Sequence, residues 1–181
     1  MISDKRMKLV SSRDGMDYYM YKPSLLHMYY DDSKQTQWPS HQNALSHKLH
    51  LLIYLLFGEY RILYMLRGDD VVSYVVFSRG GRVVIRGTSK EDIYTIFVWT
   101  YPEYRRRGYG EKLVSELLHG AGVRYRNSYK TIVSDNIPSI KTAQANGYRR
   151  LYPVKRTKLL HTAYRCDDID NYHLYIFERA E

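Results

Sequence analysis

The stretch EYRRRGYGEKLVSELL, residues 103–118, is the segment from which the fold can be worked out. A basic, glycine-containing run at 105–110 leads into leucines at helical spacing, which predicts a helix from about Gly108 to His119. The first turn of a helix has free N–H groups, and glycine lets the backbone approach a ligand closely. With arginines beside it, such a turn suits a phosphate or diphosphate. Taken alone, the stretch is explained equally well by an ordinary basic turn.

Strands and a second helix flank this segment. DIYTIFVW at 92–99 predicts a β-branched and aromatic strand before it, and YKTIV at 129–133 predicts a short buried strand after it. Asn136 or Ser134 then caps a helix covering about residues 139–145. A β-α-β unit makes its two strands parallel. The loop at 105–110 therefore lies at the carboxyl end of a strand, where open sheets bind ligands.

The rest of the chain adds mainly antiparallel strands. Strands are predicted at 7–10, 60–66, 71–77, 82–87, 148–154 and 173–178, with turns at 68–70 and 79–82. Helix is predicted at about 50–57, and residues 16–28 have a weaker helical pattern. The fold class is therefore mixed α/β, with an antiparallel meander followed by β-α-β-α-β.

Composition fits one globular domain with an anionic partner. The chain has 181 residues, 20 tyrosines and a formal net charge of +9, and its second half, residues 101–181, contains 15 Lys and Arg against 9 acids. Nucleic acid, a membrane surface or a phosphorylated cofactor would suit this charge. A solvated basic surface explains it too.

The cysteine count, the length of the apolar runs and the histidine spacing exclude some classes of protein. A single cysteine excludes an internal disulfide and fits a cytoplasmic location. The longest apolar run, LLIYLLF at 51–57, is too short to span a bilayer, so no membrane partner is expected. His47 and His50 are spaced like a metal-ligand pair, but no third ligand accompanies them, and we expect no metal.

Two motifs make the chain resemble the GNAT superfamily of acyl-CoA-dependent N-acyltransferases. The family's cofactor loop reads Gln/Arg-x-x-Gly-x-Gly/Ala, and Arg105, Gly108 and Gly110 match it. The family's next segment often reads Asn-x-x-Ser/Ala, a helix and Gly-Phe/Tyr, and the matching residues are Asn136, Ser139, Gly147 and Tyr148. The resemblance covers about residues 92–152.

The resemblance implies a fold and a cofactor. It implies a central, mostly antiparallel sheet with a splayed parallel pair and flanking helices, in a single domain of residues 1–181. Residues 92–152 would form the core that binds acetyl-CoA, and 13–50 a variable acceptor region. Residues implied to hold the pyrophosphate are Arg105, Arg106, Arg107, Gly108, Tyr109, Gly110 and Glu111. Those implied at the pantetheine arm are Val98, Thr100, Asn136 and Ser139, with the Val98 N–H as a donor to the acyl carbonyl.

The chain lacks the residue that many family members use as the acid that protonates the leaving thiolate. Many members place a Tyr seven residues after the Asn, and Ala143 occupies that position here. Ser139 is the first substitute, although a helix-start residue that caps N–H groups explains it equally well. Tyr148, Tyr152 and departure without an acid are the alternatives.

The identity of the general base, which would accept the proton of the amine, is also undecided. Some relatives use a Glu fourteen residues before the first loop glycine, where this chain has Tyr94. Asp92, two residues earlier, would act through a water chain, but a solvated acid at a strand start explains Asp92 and Glu91 better. The other candidates are Glu91, His27, Asp31 and Asp32.

The function implied by the resemblance is an N-acetyltransferase that moves an acetyl group from acetyl-CoA to a primary amine by direct attack. A small amine or amino sugar is the first expectation for the acceptor, and a protein N-terminus or lysine is the second. The protein is expected to be a monomer or a homodimer. The alternatives are an RNA-associated protein, either a tRNA-directed acetyltransferase toxin or a nucleic-acid binder, and a CoA-binding sensor without catalysis.

Overall fold

A computed structural model describes residues 6–27, 52–53, 55–56, 59–79, 85–157, 162–166 and 174–180. Its strands are β1 (Met7–Arg13), β2 (Met16–Tyr21), β3 (Glu59–Arg67), β4 (Asp70–Arg79), β5 (Ile93–Thr100), β6 (Asn127–Val133), β7 (Arg149–Arg156), β8 (Ala163–Arg165) and β9 (Leu174–Ala180). Its α-helices of more than one turn are α1 (Tyr109–His119) and α2 (Ile137–Ala145). A 3-10 turn, Pro102–Tyr104, connects β5 to the loop before α1.

All the strands belong to one sheet, in the order β1-β2-β3-β4-β5-β6-β9-β7-β8. The pairs are antiparallel except β5 with β6, which run parallel because α1 crosses over between them. The expected fold class, a mixed and mostly antiparallel sheet with one parallel pair, is confirmed.

The parallel pair separates along its length. β5 and β6 are in register only where Ile93–Thr95 faces Ser128–Lys130, and beyond Thr95 the two strands part. On its other edge β5 carries one extra residue, because Val76 pairs with Phe97 while Phe77 pairs with Thr95. A bulge of this kind bends and twists a strand, and here it coincides with the point of separation.

The two faces of the sheet are covered differently. On one face α1 buries Leu113, Val114 and Leu117, which pack with residues of β3, β4, β6 and β9. The other face is rich in tyrosine, and its buried members include Tyr21, Tyr60, Tyr64, Tyr74, Tyr94 and Tyr101. We call these the helix face and the tyrosine face. Many of the 20 tyrosines therefore serve as core residues.

Two assignments differ from the structure, and two further predicted segments are described only in part. The helical pattern at 16–28 is wrong for its first residues, because Asp14 and Gly15 have positive φ and turn the chain into the β1–β2 hairpin. The strand at 163–165 was not predicted, since three residues give too short a pattern. Most of the segment predicted at 82–87 lies outside the described residues, and within it Ile85 bridges to Ala163. Of the helix predicted at 50–57, the described residues 52–53 and 55–56 are helical.

Candidate active site

A cleft of about 600 Å³ opens between the parted ends of β5 and β6. β5 contributes its residues from Thr95 to Thr100, and β6 contributes those from Lys130 to Val133. The remaining lining residues come from the loop before α1, from α1 and from the start of α2, and they are Arg105, Gly110, Asn136, Pro138, Ser139 and Thr142. The cleft thus extends from the last paired residues of the two strands to the N-termini of both helices.

The loop at 105–110 presents free backbone donors at one end of this cleft. Arg106 and Gly108 have φ values of 61° and 75°, and Gly108 is the N-cap of α1 without a side-chain cap. Among the described residues, no acceptor is paired with the N–H groups of residues 106–111. Since the helix dipole adds positive potential there, this end of the cleft suits a diphosphate.

The side chain of Arg105 is held against β5. Its Nε donates to the Thr100 carbonyl oxygen at 3.1 Å, and its guanidinium lies 4.7 Å from the Trp99 ring centroid. Arg106, Arg107 and the side chain of Glu111 are exposed. Gly110 packs closely, because a Cβ there would lie 3.4 Å from the Thr100 hydroxyl oxygen.

The start of α2 forms the other wall. Asn136 caps the helix, and its Oδ1 accepts a hydrogen bond from the Ser139 N–H at 3.2 Å. Ser139 and Thr142 line the cleft, whereas Ala143 is fully buried in the helix-face core. The position at which many relatives carry a tyrosine therefore contributes no polar group here.

The family model for the acetyltransferase (GNAT) family matches residues 25–148, more than half of the chain. The chain belongs to the GNAT family of acetyltransferases. No curated protein sequence matches it significantly.

Solved structures share the GNAT fold at low sequence identity. A GNAT family acetyltransferase from Elizabethkingia anophelis with acetyl-CoA bound is 9% identical, with a TM-score of 0.60, covering 93% of this chain and 100% of that one. An acetyltransferase from Thermus thermophilus is 15% identical, with a TM-score of 0.54 and coverages of 77% and 76%. The protein yncA from Salmonella typhimurium, solved with its cofactor acetyl-CoA, is 17% identical, with a TM-score of 0.52 and coverages of 77% and 74%.

The base candidates lie away from the lining of the GNAT cleft. Asp92 is fully buried and holds two turns together, because its carboxylate accepts from the N–H groups of Ser89 and Asn127 and pairs with Arg126 at 3.4 Å. Tyr94 is buried on the tyrosine face, next to the cleft, with its hydroxyl 2.6 Å from that of Thr131.

The other candidates are also placed elsewhere. Glu91 is exposed, and the His27 carbonyl accepts from Tyr21 in a local turn. Tyr148 is buried with its hydroxyl against Ser128, and burial raises its pKa to about 12. Tyr152 is half-buried under the guanidinium of Arg165. Asp31, Asp32, His47 and His50 lie outside the described residues.

Sequence reasoning missed two buried polar residues in the cleft. Lys130 is 5% exposed and Thr95 is 4% exposed, and both line the cleft. Burial lowers the pKa of Lys130 to about 8. The available signal was strand alternation, because Lys130 shares its face of NSYKTIV with Ser128 and Ile132, which are buried.

The described residues contain neither a membrane-spanning helix nor a metal-binding cluster. None of their helices has the length and apolarity needed to cross a membrane. Their His, Cys, Asp and Glu side chains form no cluster of three or more that could hold a metal ion.

Proposed function

We propose that the protein is an N-acetyltransferase that transfers the acetyl group of acetyl-CoA to a primary amine. The observation that carries this proposal is the position of the cleft. It runs between two parted parallel strands and ends at a helix N-terminus whose N–H groups are free. Membership of the GNAT family and the acetyl-CoA in solved GNAT structures support the same donor.

The residues of the cleft suit the parts of acetyl-CoA. The N–H groups of residues 106–111 would hold the pyrophosphate, with Arg105 beside them. The open edges of β5 and β6 beyond Thr95 would offer backbone groups to the amides of the pantetheine arm, at Val98 and Thr100 among others. Asn136 and Ser139 would contact the arm from α2. Bound there, acetyl-CoA supplies an activated acetyl thioester.

The reaction changes two bonds and moves two protons. The acceptor nitrogen forms a bond to the acyl carbon, the carbon–sulfur bond breaks, and a proton passes from the amine to solvent while the thiolate gains one. We assign the Val98 N–H to polarising the acyl carbonyl, and the Ser139 hydroxyl to passing a proton to the thiolate, which Ser139 regains from solvent. Among the described residues that line the cleft there is no Asp or Glu, which supports a water-mediated route for the amine's proton.

The acceptor would enter from the tyrosine face. On that side the Thr131 hydroxyl lies 2.6 Å from the Tyr94 hydroxyl and accepts from Arg156 at 2.7 Å. Hydroxyl and guanidinium groups at the cleft suit a polar acceptor, which supports a small amine or an amino sugar. A panel of such amines, assayed by release of free CoA, tests the assignment, and release without dependence on any amine would argue against it.

A glycine substitution tests the donor site. Gly108→Asp brings a carboxylate to the N-terminus of α1, and we expect it to abolish acetyl-CoA binding measured by calorimetry. Gly122→Asp is the matched control, because Gly122 also has positive φ with open space around it but follows the far end of α1. Both variants strain the backbone alike, so an unchanged affinity in Gly108→Asp would refute the diphosphate site.

A further inference from the structure

The closed end of the cleft carries a buried amine. Lys130 is the last residue of β6 that is paired with β5, and its register partner is Thr95. The Nζ atom lies 4.4 Å from the centroid of the Tyr148 ring, on the helix face. Lys130 lines the cleft even though only 5% of it is exposed. A lysine this deeply buried is uncommon without a partner of opposite charge.

Nothing described around Lys130 supplies that opposite charge. Tyr148 after α2, Arg179 on β9, Arg105 before α1 and the exposed Lys141 on α2 are not acids. Of the acids on these elements, Glu116 of α1 accepts from the Ser11 hydroxyl, and Glu111 and Asp135 are exposed. Glu178 of β9 is engaged with Tyr129 on the opposite face. Burial alone lowers the pKa of Lys130, with no contribution from a neighbouring carboxylate.

A second polar group at the same place is unsatisfied. The hydroxyl oxygen of Thr95 is buried and makes no hydrogen bond of normal geometry among the described residues. Thr95 lies close enough to the Tyr148 hydroxyl for a weak hydrogen bond that lowers the pKa of Tyr148, but the hydrogen bond of normal geometry that this hydroxyl makes is with Ser128 at 2.5 Å. Buried hydroxyls nearly always have a partner, and an unpaired one is costly. An ammonium without a counter-charge and a hydroxyl without a partner, side by side in register, are both satisfied by a single carboxylate.

The direction of the cleft shows which part of a ligand would reach this pair. The diphosphate donors lie at the carboxyl end of β5, beyond Thr100, whereas Thr95 and Lys130 close the opposite end. The stretch of β5 between them spans about 16 Å. A donor held by its pyrophosphate at the open end would therefore direct its acyl group towards Lys130.

We propose that, beside acetyl-CoA, this cleft binds acyl-CoA donors whose acyl group ends in a carboxylate and prefers them to uncharged donors of the same shape, with Lys130 and Thr95 as the pair that binds the carboxylate. The proposal rests on the proposed function, since it takes the cleft to be an acyl-CoA site, and it specifies the chemical class of the acyl group. Lys130 supplies the counter-charge and Thr95 a hydrogen bond, so that neither group stays unsatisfied in the complex.

Isosteric donors provide the test. Malonyl-CoA and isovaleryl-CoA have acyl groups of the same shape, with and without the charge, and succinyl-CoA with 4-methylpentanoyl-CoA is the pair one carbon longer. We expect calorimetry to show at least one carboxylated donor binding about tenfold or more tighter than its isostere. Lys130→Met should remove this preference while retaining affinity for the uncharged donor, and Thr95→Val should reduce it.

The controls separate the possible failures. Lys141→Met removes an exposed lysine on α2 and should leave the preference intact. If Lys130→Met fails to fold, the affinities of the wild type for the isosteric donors, and those of Thr95→Val, still test the proposal. Binding of acetyl-CoA with no preference for either carboxylated donor would overturn this inference alone, as would a preference that survives in Lys130→Met. If no acyl-CoA binds, the proposed function fails together with it.

Discussion

At the scale of single residues, Asp92 is a candidate catalytic base by sequence, but in the structure its carboxylate is used to hold the backbone in place. Its oxygens accept from the backbone N–H of Ser89 at 2.7 Å and of Asn127 at 3.2 Å. We predict that Asp92→Asn lowers the free energy of unfolding by about 2 kcal/mol, because it replaces a charged acceptor by a neutral one. Urea unfolding measures this loss, and calorimetry should show unchanged acetyl-CoA affinity.

The neighbouring acid is the matched control for that substitution. Glu91 is exposed, so Glu91→Gln should change neither stability nor donor affinity. A variant Asp92→Asn that is as stable as the wild type but turns over much more slowly would contradict the structural role and restore Asp92 as a base.

Ser139 is the residue whose catalytic role can be tested most directly. It lines the cleft, and only its backbone N–H is used in capping α2. If its hydroxyl protonates the thiolate, Ser139→Ala should lower turnover on the order of 100-fold with little change in acetyl-CoA affinity. The comparison uses an amine that the wild-type protein accepts. Ser115→Ala, on the exposed side of α1, is the control, and equal turnover in both variants would exclude Ser139 as the acid.

Single residues were also where the sequence was least informative. The motif residues Arg105, Gly110, Asn136 and Ser139 line the cleft, because each sits next to a helix start that the sequence marks. Lys130 could not be placed in the same way, since its exposure depends on β9, which pairs with β6, and on Tyr148, whose ring lies against its amine. A charged residue in a buried strand is visible in sequence, but whether it lines a cleft is a tertiary property.

At the scale of elements, the residue that caps α2 also lines the cleft. Asn136 caps the helix through its Oδ1, and Pro138 occupies the first turn, where a missing N–H costs nothing. We predict that Asn136→Ala lowers the free energy of unfolding by about 1 kcal/mol and weakens acetyl-CoA binding, because both the cap and a lining side chain are lost.

The variant Asn136→Asp separates these two roles of α2. Aspartate is as good a cap as asparagine and suits the helix dipole, so thermal unfolding should match the wild type. Its charge in the cleft should still weaken binding of the anionic donor. Wild-type affinity in Asn136→Asp would show that Asn136 does not face the donor.

Elements were predicted best where local signals were strong. The span of α1 follows from its leucine spacing and from glycines at both ends, and β5 follows from its β-branched and aromatic run. The sequence pattern did not predict β2. In MDYYMY the alternation of apolar and polar residues is hidden, because tyrosine is amphipathic and occurs on both faces of the strand. Its identity as a strand is set by the turn at Asp14 and by pairing with β3.

At the scale of the whole molecule, the order of the strands followed only in part from sequence. The parallel β5–β6 pair is dictated by the β-α-β unit. The insertion of β9 between β6 and β7 could not be inferred from local patterns, because it places the last strand of the chain inside the sheet. That insertion covers the edge of β6 that faces away from β5, and so it helps to bury Lys130.

Burial of Lys130 makes stability depend on pH in a direction that can be worked out. The pKa of Lys130 is about 8 in the folded protein and returns to about 10.5 on unfolding. Below pH 8 both states bind the proton, whereas between 8 and 10.5 the unfolded chain binds it and the folded protein does not. Stability therefore rises with pH in this window, by up to about 1.4 kcal/mol per unit.

Without a ligand, we predict that the free energy of unfolding rises by about 2 kcal/mol between about pH 7.5 and 9.5 through this one group. Staying below about pH 10 avoids the tyrosines, since Tyr18 and Tyr148 have raised pKa values in the folded state and oppose the trend at higher pH. Urea unfolding of wild type and Lys130→Met across this range isolates the contribution as their difference. Lys141→Met, on the surface, should follow the wild type. A difference between wild type and Lys130→Met that stays constant with pH would show that the amine keeps an ordinary pKa, and that its burial costs the fold nothing.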